Sequence, residues 1–266
     1  MGLNFACALF STIMTIAGLV LFILYIVKIR KVHIRLIDFL GGVIVCFFAK
    51  QLIYALIVRG IGLIPGIASY ASAHYYFQPL LSVVINTFVT IGGFWLLLRV
   101  FYGNRFTGQN ASGIAAGASV IEVLYNMTSP LVSLLSYFYM ENNGTLESSI
   151  SKVYGKDQVK AIIAQYRSFT PSYYLYYGAV ALMVIANHYL IQTLFRDAVA
   201  TRQRYTLIMM TGIVIAYSFF YYFANPLTMP WITIGAYALA AAQFIFAHIT
   251  NKRLDQNYPE SIGVDY

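Results

Sequence analysis

Long apolar runs separated by short polar stretches set the pattern of this chain. Runs at 4–27, 36–58, 78–100, 109–139, 173–195, 205–223 and 231–249 alternate with turns and charged loops. Each is close to or above the roughly 20 helical residues that cross a hydrocarbon core of about 30 Å. The pattern predicts an all-α, polytopic bundle of about seven transmembrane helices. The run at 109–139 is longer than one crossing requires, so it should tilt, or break near 126–130. Between 141 and 171 the chain turns polar. Leu146, Ile150 and Val153, then Ile162, Ile163 and Tyr166, are spaced for one or two amphipathic helices lying on a surface. A single transmembrane domain, 1–266, is expected, with 141–171 as an amphipathic loop within it.

Charge gives the runs a direction. Lys28, Arg30, Lys31, Arg35, Arg99, Arg105, Arg196, Arg202, Arg204, Lys252 and Arg253 all follow odd-numbered runs. The opposite side holds Arg59 and, in the 141–171 loop, Lys152, Lys156, Lys160 and Arg167. The positive-inside rule then puts the N-terminus outside, the C-terminus in the cytoplasm and the loop on the extracytoplasmic side. Only 10% of residues are charged and the mean hydropathy is +0.70, against about 25% charged in a soluble domain. The excess of +8 therefore belongs to membrane topology and gives no reason to expect nucleic acid. The lipid bilayer is the expected surrounding, and a multi-pass place in a bacterial cytoplasmic membrane the expected location.

The most unusual run is ASGIAAGASVIEVLYNM, residues 111–127. It is apolar enough for a bilayer yet carries Glu122. Ser112, Ala115, Ser119, Glu122 and Asn126 recur every three or four residues and share one narrow helical stripe. Gly113 and Gly117 lie beside it and allow a second helix to approach closely. The Gly92–Gly93 pair predicts another close contact. A carboxylate at such depth costs a few kcal/mol unless it faces protein or water. Lys50, in the second run, lies at a comparable depth.

Two readings of Glu122 stand side by side. In one it forms a structural ion pair with Lys50, or stays neutral in a hydrogen bond across helices. In the other it is a general base or ligand-binding group, with His188 as its partner and Ser119 holding a water. Glu122, Lys50, Ser119, Ser112 and Asn126 are the candidate binding residues; Glu122 and His188 are the candidate catalytic pair if the protein is active. His33, His74 and His248 fall at run ends or in a loop and should be solvated. Cys7 and Cys46 lie in apolar runs and give neither a disulfide framework nor a metal spacing. No HExxH pattern or Walker-type loop occurs, so no metal and no cofactor is expected.

The order of features resembles the YhfC family of bacterial intramembrane peptidases, which is similar to the PrsW and CAAX-protease groups. The likeness lies in KIRKVHIR after the first run, CFFAKQLIYALIVRG in the second and INTFVTIGGFWLLLRVFYGNR before the Glu122 helix. AAGASVIE, residues 115–122, lies over the family's GxGHGxxE. Gly117 and Glu122 match; Ala118 stands for the motif histidine and Ser119 for its last glycine. The family's paired glutamates have no counterpart, because the third run has no acid. His188, in ANHYLIQTLF, matches one later family histidine, and the run at 205–223 lacks the other. Peptide hydrolysis needs one group to activate water and another to protonate the leaving amine. The resemblance therefore implies a non-catalytic relative that keeps the fold and cavity. Such a relative would bind a membrane-protein partner, or a peptide or lipid-like ligand, as a subunit of a complex. Two alternatives are an active peptidase using Glu122 and His188, and a small transporter or permease component with Glu122 and Lys50 along its path.

The orientation has a direct check. Lys152→Cys should react with an impermeant maleimide added to intact cells, and Lys31→Cys only after permeabilisation.

Overall fold

The computed structural model describes residues 2–103, 105–203, 205–223 and 231–258. Seven helices in it are long and apolar enough to cross a membrane. They are span 1, Gly2–Ile29; span 2, Leu36–Gly62; span 3, Phe77–Tyr102; span 4, Gly108–Asn142; span 5, Pro171–Thr201; span 6, Tyr205–Phe223; and span 7, Ile232–Asn257. No strand occurs among the described residues. The turn expected at 224–230, and Arg204, fall outside them.

Span 5 is the centre of the bundle. The most apolar window of its helix is 94% buried, whereas no other span exceeds 44%. It packs against spans 7, 4, 1 and 6. Lipid therefore surrounds the other six helices, whose outward faces carry exposed Leu, Ile, Val and Phe side chains, as a bilayer-facing surface should.

Spans 2 and 4 approach each other backbone to backbone. The glycines on the Glu122 helix are the reason. A Cβ at Gly117 would run into the Phe39 carbonyl, and one at Gly113 would meet the Asp38 side chain at 2.6 Å. Across the contact, a Cβ at Gly42 would strike the Ile114 carbonyl. The backbones touch without side chains between them, which is how helices associate where there is no hydrophobic driving force. Of the Gly92–Gly93 pair only Gly93 meets a neighbour, with Ala49 and Val45 at 3.2 Å, while Gly92 faces open space.

Span 4 neither stops nor breaks at 126–130. It makes one wide turn, Leu124–Thr128, closed by an i→i+5 bond from Ser129 N to Leu124 O. Pro130 opens the next helical segment, where the wide turn tolerates its missing N–H. Similar wide turns occur at Tyr25–Ile29, Phe48–Ile53 and Leu98–Tyr102.

The 141–171 stretch forms two short helices, Leu146–Ile150 and Lys156–Ser168. Leu146, Ile150, Val159 and Tyr166 bury against Leu131, Leu134, Phe138 and Tyr174. Val153, expected on the buried face, is instead 75% exposed, because the first helix ends at Ile150.

At the basic ends of the spans, polar side chains are buried in pairs. Asp38 is fully buried and accepts from Arg35 Nε at 2.9 Å, Tyr102 Oη at 2.6 Å and Asn110 Nδ2 at 3.1 Å. Thr107 and Asn110 form the capping box that starts span 4. Arg196 and Asp197, read from sequence as the end of the fifth run, are buried because the helix continues to Thr201. Arg196 reaches Asp255 at 2.8 Å and Asn251 at 3.0 Å, and Arg253 reaches Asp197 at 2.7 Å. Asn251 also donates to Thr193 at 2.6 Å, and Gln243 to Asn187 at 3.4 Å. These contacts fix span 7 to span 5. His248 is not simply solvated either, since its Nδ1 lies 2.5 Å from Tyr25 Oη.

Gly117→Ala should destabilise the protein by about 1–3 kcal/mol through overpacking, read as a lower melting temperature in detergent. Gly92→Ala should be neutral or slightly stabilising, by up to about 1 kcal/mol.

Candidate functional site

A carboxylate in a bilayer must collect hydrogen-bond donors from neighbouring helices, because water is scarce there. Glu122 collects them from spans 2, 5 and 6. Lys50 Nζ lies 2.8 Å from Oε1 and 2.6 Å from Oε2. His188 Nε2 lies 2.6 Å from Oε2, Tyr217 Oη donates to Oε1 at 2.8 Å, and Cys46 Sγ donates to Oε2 at 3.6 Å. Glu122, His188, Tyr217 and Cys46 are all buried, and the Lys50 side chain is only 8% exposed.

Local structure explains the convergence. Cys46 and Lys50 are four residues apart and face the same way, with Lys50 in the wide turn Phe48–Ile53. Gly42 and Gly117, one to two turns away, bring span 2 close enough for the lysine to reach. His188 lies near the middle of the buried span 5, with the edge of the Phe94 ring against it at 5.8 Å between centroids. Lys50 also sits 5.4 Å from the centre of the Tyr217 ring, within cation–π range.

The proton on His188 follows from its surroundings. Nε2 faces the carboxylate, whereas Nδ1 is buried with no hydrogen-bond partner among the described residues. A neutral ring carrying its proton on Nε2 leaves only a lone pair unsatisfied at Nδ1. An imidazolium would strand an N–H there, which costs more. The cluster therefore holds one positive and one negative charge. A carboxylate offers about four lone-pair positions, and Lys50, His188, Tyr217 and Cys46 fill them.

On one side of this cluster lies a cavity of about 230 Å³. Glu122 itself borders it, and Lys50, Tyr54, Asn86, Asn126, Tyr217 and Tyr221 line most of the rest. Asn86 donates to Ser218 at 2.7 Å and Tyr54 to Ser82 at 2.8 Å, which holds their side chains in place. The cavity is polar, aromatic and roomy enough for several waters or one small polar group.

Of the residues singled out in the sequence, Glu122, Lys50 and His188 come together, and Asn126 lines the cavity one turn further on. Ser119 and Ser112 do not join them. Ser119 Oγ is buried without a hydrogen-bond partner among the described residues, and neither serine lines the cavity. A water held by Ser119 for attack therefore has no support in the geometry. The sequence pattern does not mark Tyr217, Cys46, Asn86 or Tyr54. Cys46 was detectable as the residue one turn before Lys50. Tyr217 carried no local signal, because an aromatic in an apolar run looks like lipid-facing or core packing.

Cys46 Sγ, Glu122 Oε and His188 Nε2 all lie within 4.8 Å of one another. Thiolate, carboxylate and imidazole are a donor set that zinc accepts. Sequence spacing could not show it, since the three come from three separate helices. The Lys50 ammonium already occupies the carboxylate, so a divalent ion would have to displace it.

No family profile, curated protein or solved structure matches the chain.

Lys50→Met should cost about 3–5 kcal/mol, as expected when one partner of a buried ion pair is removed. Adding Glu122→Gln to it should restore a large part of the loss. Thermal unfolding of the single and double variants in detergent measures both effects.

Proposed function

We propose that this multi-pass membrane protein is a binding or assembly subunit that does not hydrolyse peptides, and that it is a relative of YhfC-type intramembrane peptidases. The observation that carries the reading is the saturated carboxylate. Glu122 borders the polar cavity, but a general base must also present a free lone pair to water. Glu122 instead spends its lone pairs on four protein donors, and neither a second acid nor a second imidazole belongs to the cluster among the described residues. The tyrosine hydroxyls and amides around the neighbouring cavity suit the polar part of a peptide or lipid-like ligand better than they suit bond cleavage. With the basic span ends in the cytoplasm of a bacterial cell, the cavity opens towards the extracytoplasmic half of the bilayer.

The 2.6 Å contact between His188 and Glu122 favours one second reading, in which the pair passes a proton and the protein is an active peptidase. One experiment separates the two. The purified protein in lipid nanodiscs is incubated with membrane-spanning peptides, and products are followed by mass spectrometry. Wild type and Glu122→Gln should give the same background. Cleavage by wild type that disappears in both Glu122→Gln and His188→Ala would overturn the binding role in favour of catalysis.

A further inference from the structure

A second, larger cavity opens on the other face of span 2, between it and span 3. Its volume is about 920 Å³, near the upper end of the roughly 300–1,000 Å³ typical of ligand sites. Its chemistry is divided along its length. The polar lining groups, Arg35, Tyr102, Arg105, Thr107, Gln109 and Asn110, gather where span 2 begins and span 3 passes into span 4. Everything deeper is apolar, including Ile44, Phe48, Ala49, Leu96 and Val100. Ile44, Phe48, Leu96 and Val100 are each at least half exposed, although their position is inside the expected hydrocarbon layer. From Arg35 to Ala49 is about 21 Å of helix, more than half of a hydrocarbon core of about 30 Å.

We infer that this groove seats one anionic glycerophospholipid of the leaflet at the basic end, with its phosphate against Arg105 and its acyl chains along spans 2 and 3. Charge complementarity selects this occupant. Arg35 is matched by Asp38, whereas the exposed Arg105 guanidinium at the membrane surface attracts an anionic headgroup and can hold a phosphate with forked hydrogen bonds. Thr107 and Gln109 add side-chain hydrogen-bonding groups at the same end. Below that end no polar side chain among the described residues lines the groove, so it offers a docked peptide backbone nothing to bond but offers an acyl chain continuous contact. Small residues create the depth. A Cβ at Gly41 would only touch Leu97 at 3.6 Å, and Gly93 lets spans 2 and 3 close over Ala49 at the inner end. Ala49 is the neighbour of Lys50, so the lipid tail supports the segment of span 2 that carries the lysine. The inference is independent of what the Glu122 cavity does.

The test uses the full chain in nanodiscs of equal parts phosphatidylglycerol and phosphatidylcholine, released into a native mass spectrometer. Wild type should retain phosphatidylglycerol in preference to phosphatidylcholine. Arg105→Ala should lower that preference about five-fold, the effect of one surface charge worth about a factor of five, and Arg105→Lys should keep most of it. Gly41→Phe, which fills the groove, should lose the bound lipid altogether. Leu96→Trp serves the same purpose at an exposed position should the glycine variant fail to fold. Equal retention of the two lipids by wild type would overturn the inference. So would unchanged preference in Arg105→Ala, or a protein rather than a lipid found in the groove.

Discussion

One buried carboxylate and the donors it requires govern this structure. In a bilayer Glu122 cannot borrow hydrogen bonds from bulk water, so spans 2, 5 and 6 must each deliver a side chain to the same point. Lys50, His188, Tyr217 and Cys46 do so. The arrangement is demanding because the four donors come from three helices that must agree in depth and rotation. Such a network specifies how the helices fit more sharply than apolar packing can, since nearly any apolar face satisfies lipid.

The glycine contact between spans 2 and 4 makes that agreement possible. Gly42, Gly113 and Gly117 remove the side chains that would otherwise hold the two backbones apart. The wide turn Phe48–Ile53 then sets the direction of Lys50. At the basic ends, Asp38 and Arg196 repeat the same logic on a smaller scale, each buried and each matched by partners from other spans. Polar matching at two depths, with small residues between, adds to the buried apolar core centred on span 5.

Much of this was legible in the residues. Apolar run length predicted the seven spans, because the bilayer fixes how long a crossing must be. The three-and-four spacing of Ser112, Ser119, Glu122 and Asn126 predicted a polar stripe, and Gly113 and Gly117 predicted a close neighbour. The sequence could not show which helix that neighbour was, nor that the serines would stay outside the cavity. Helix rotation depends on contacts far apart in the chain, and Ser119 lies on the packed side of span 4. Tyr217 was hidden for the same reason: its hydroxyl matters only once span 6 has turned towards Glu122. The apolar runs end before spans 5 and 7 do, because charged residues in sequence read as the start of a loop. Arg196, Asp197, Arg253 and Asp255 neutralise each other and let both helices continue.

The enclosure of span 5 also bears on how the protein is made. Its helix enters the membrane before span 7 has been synthesised, yet Asn187, Thr193 and Arg196 find their partners on span 7. Until Gln243, Asn251 and Asp255 arrive, those groups must be sheltered by the insertion machinery or by spans 1–4. Biogenesis therefore has a vulnerable interval, and it closes only when span 7 is in place.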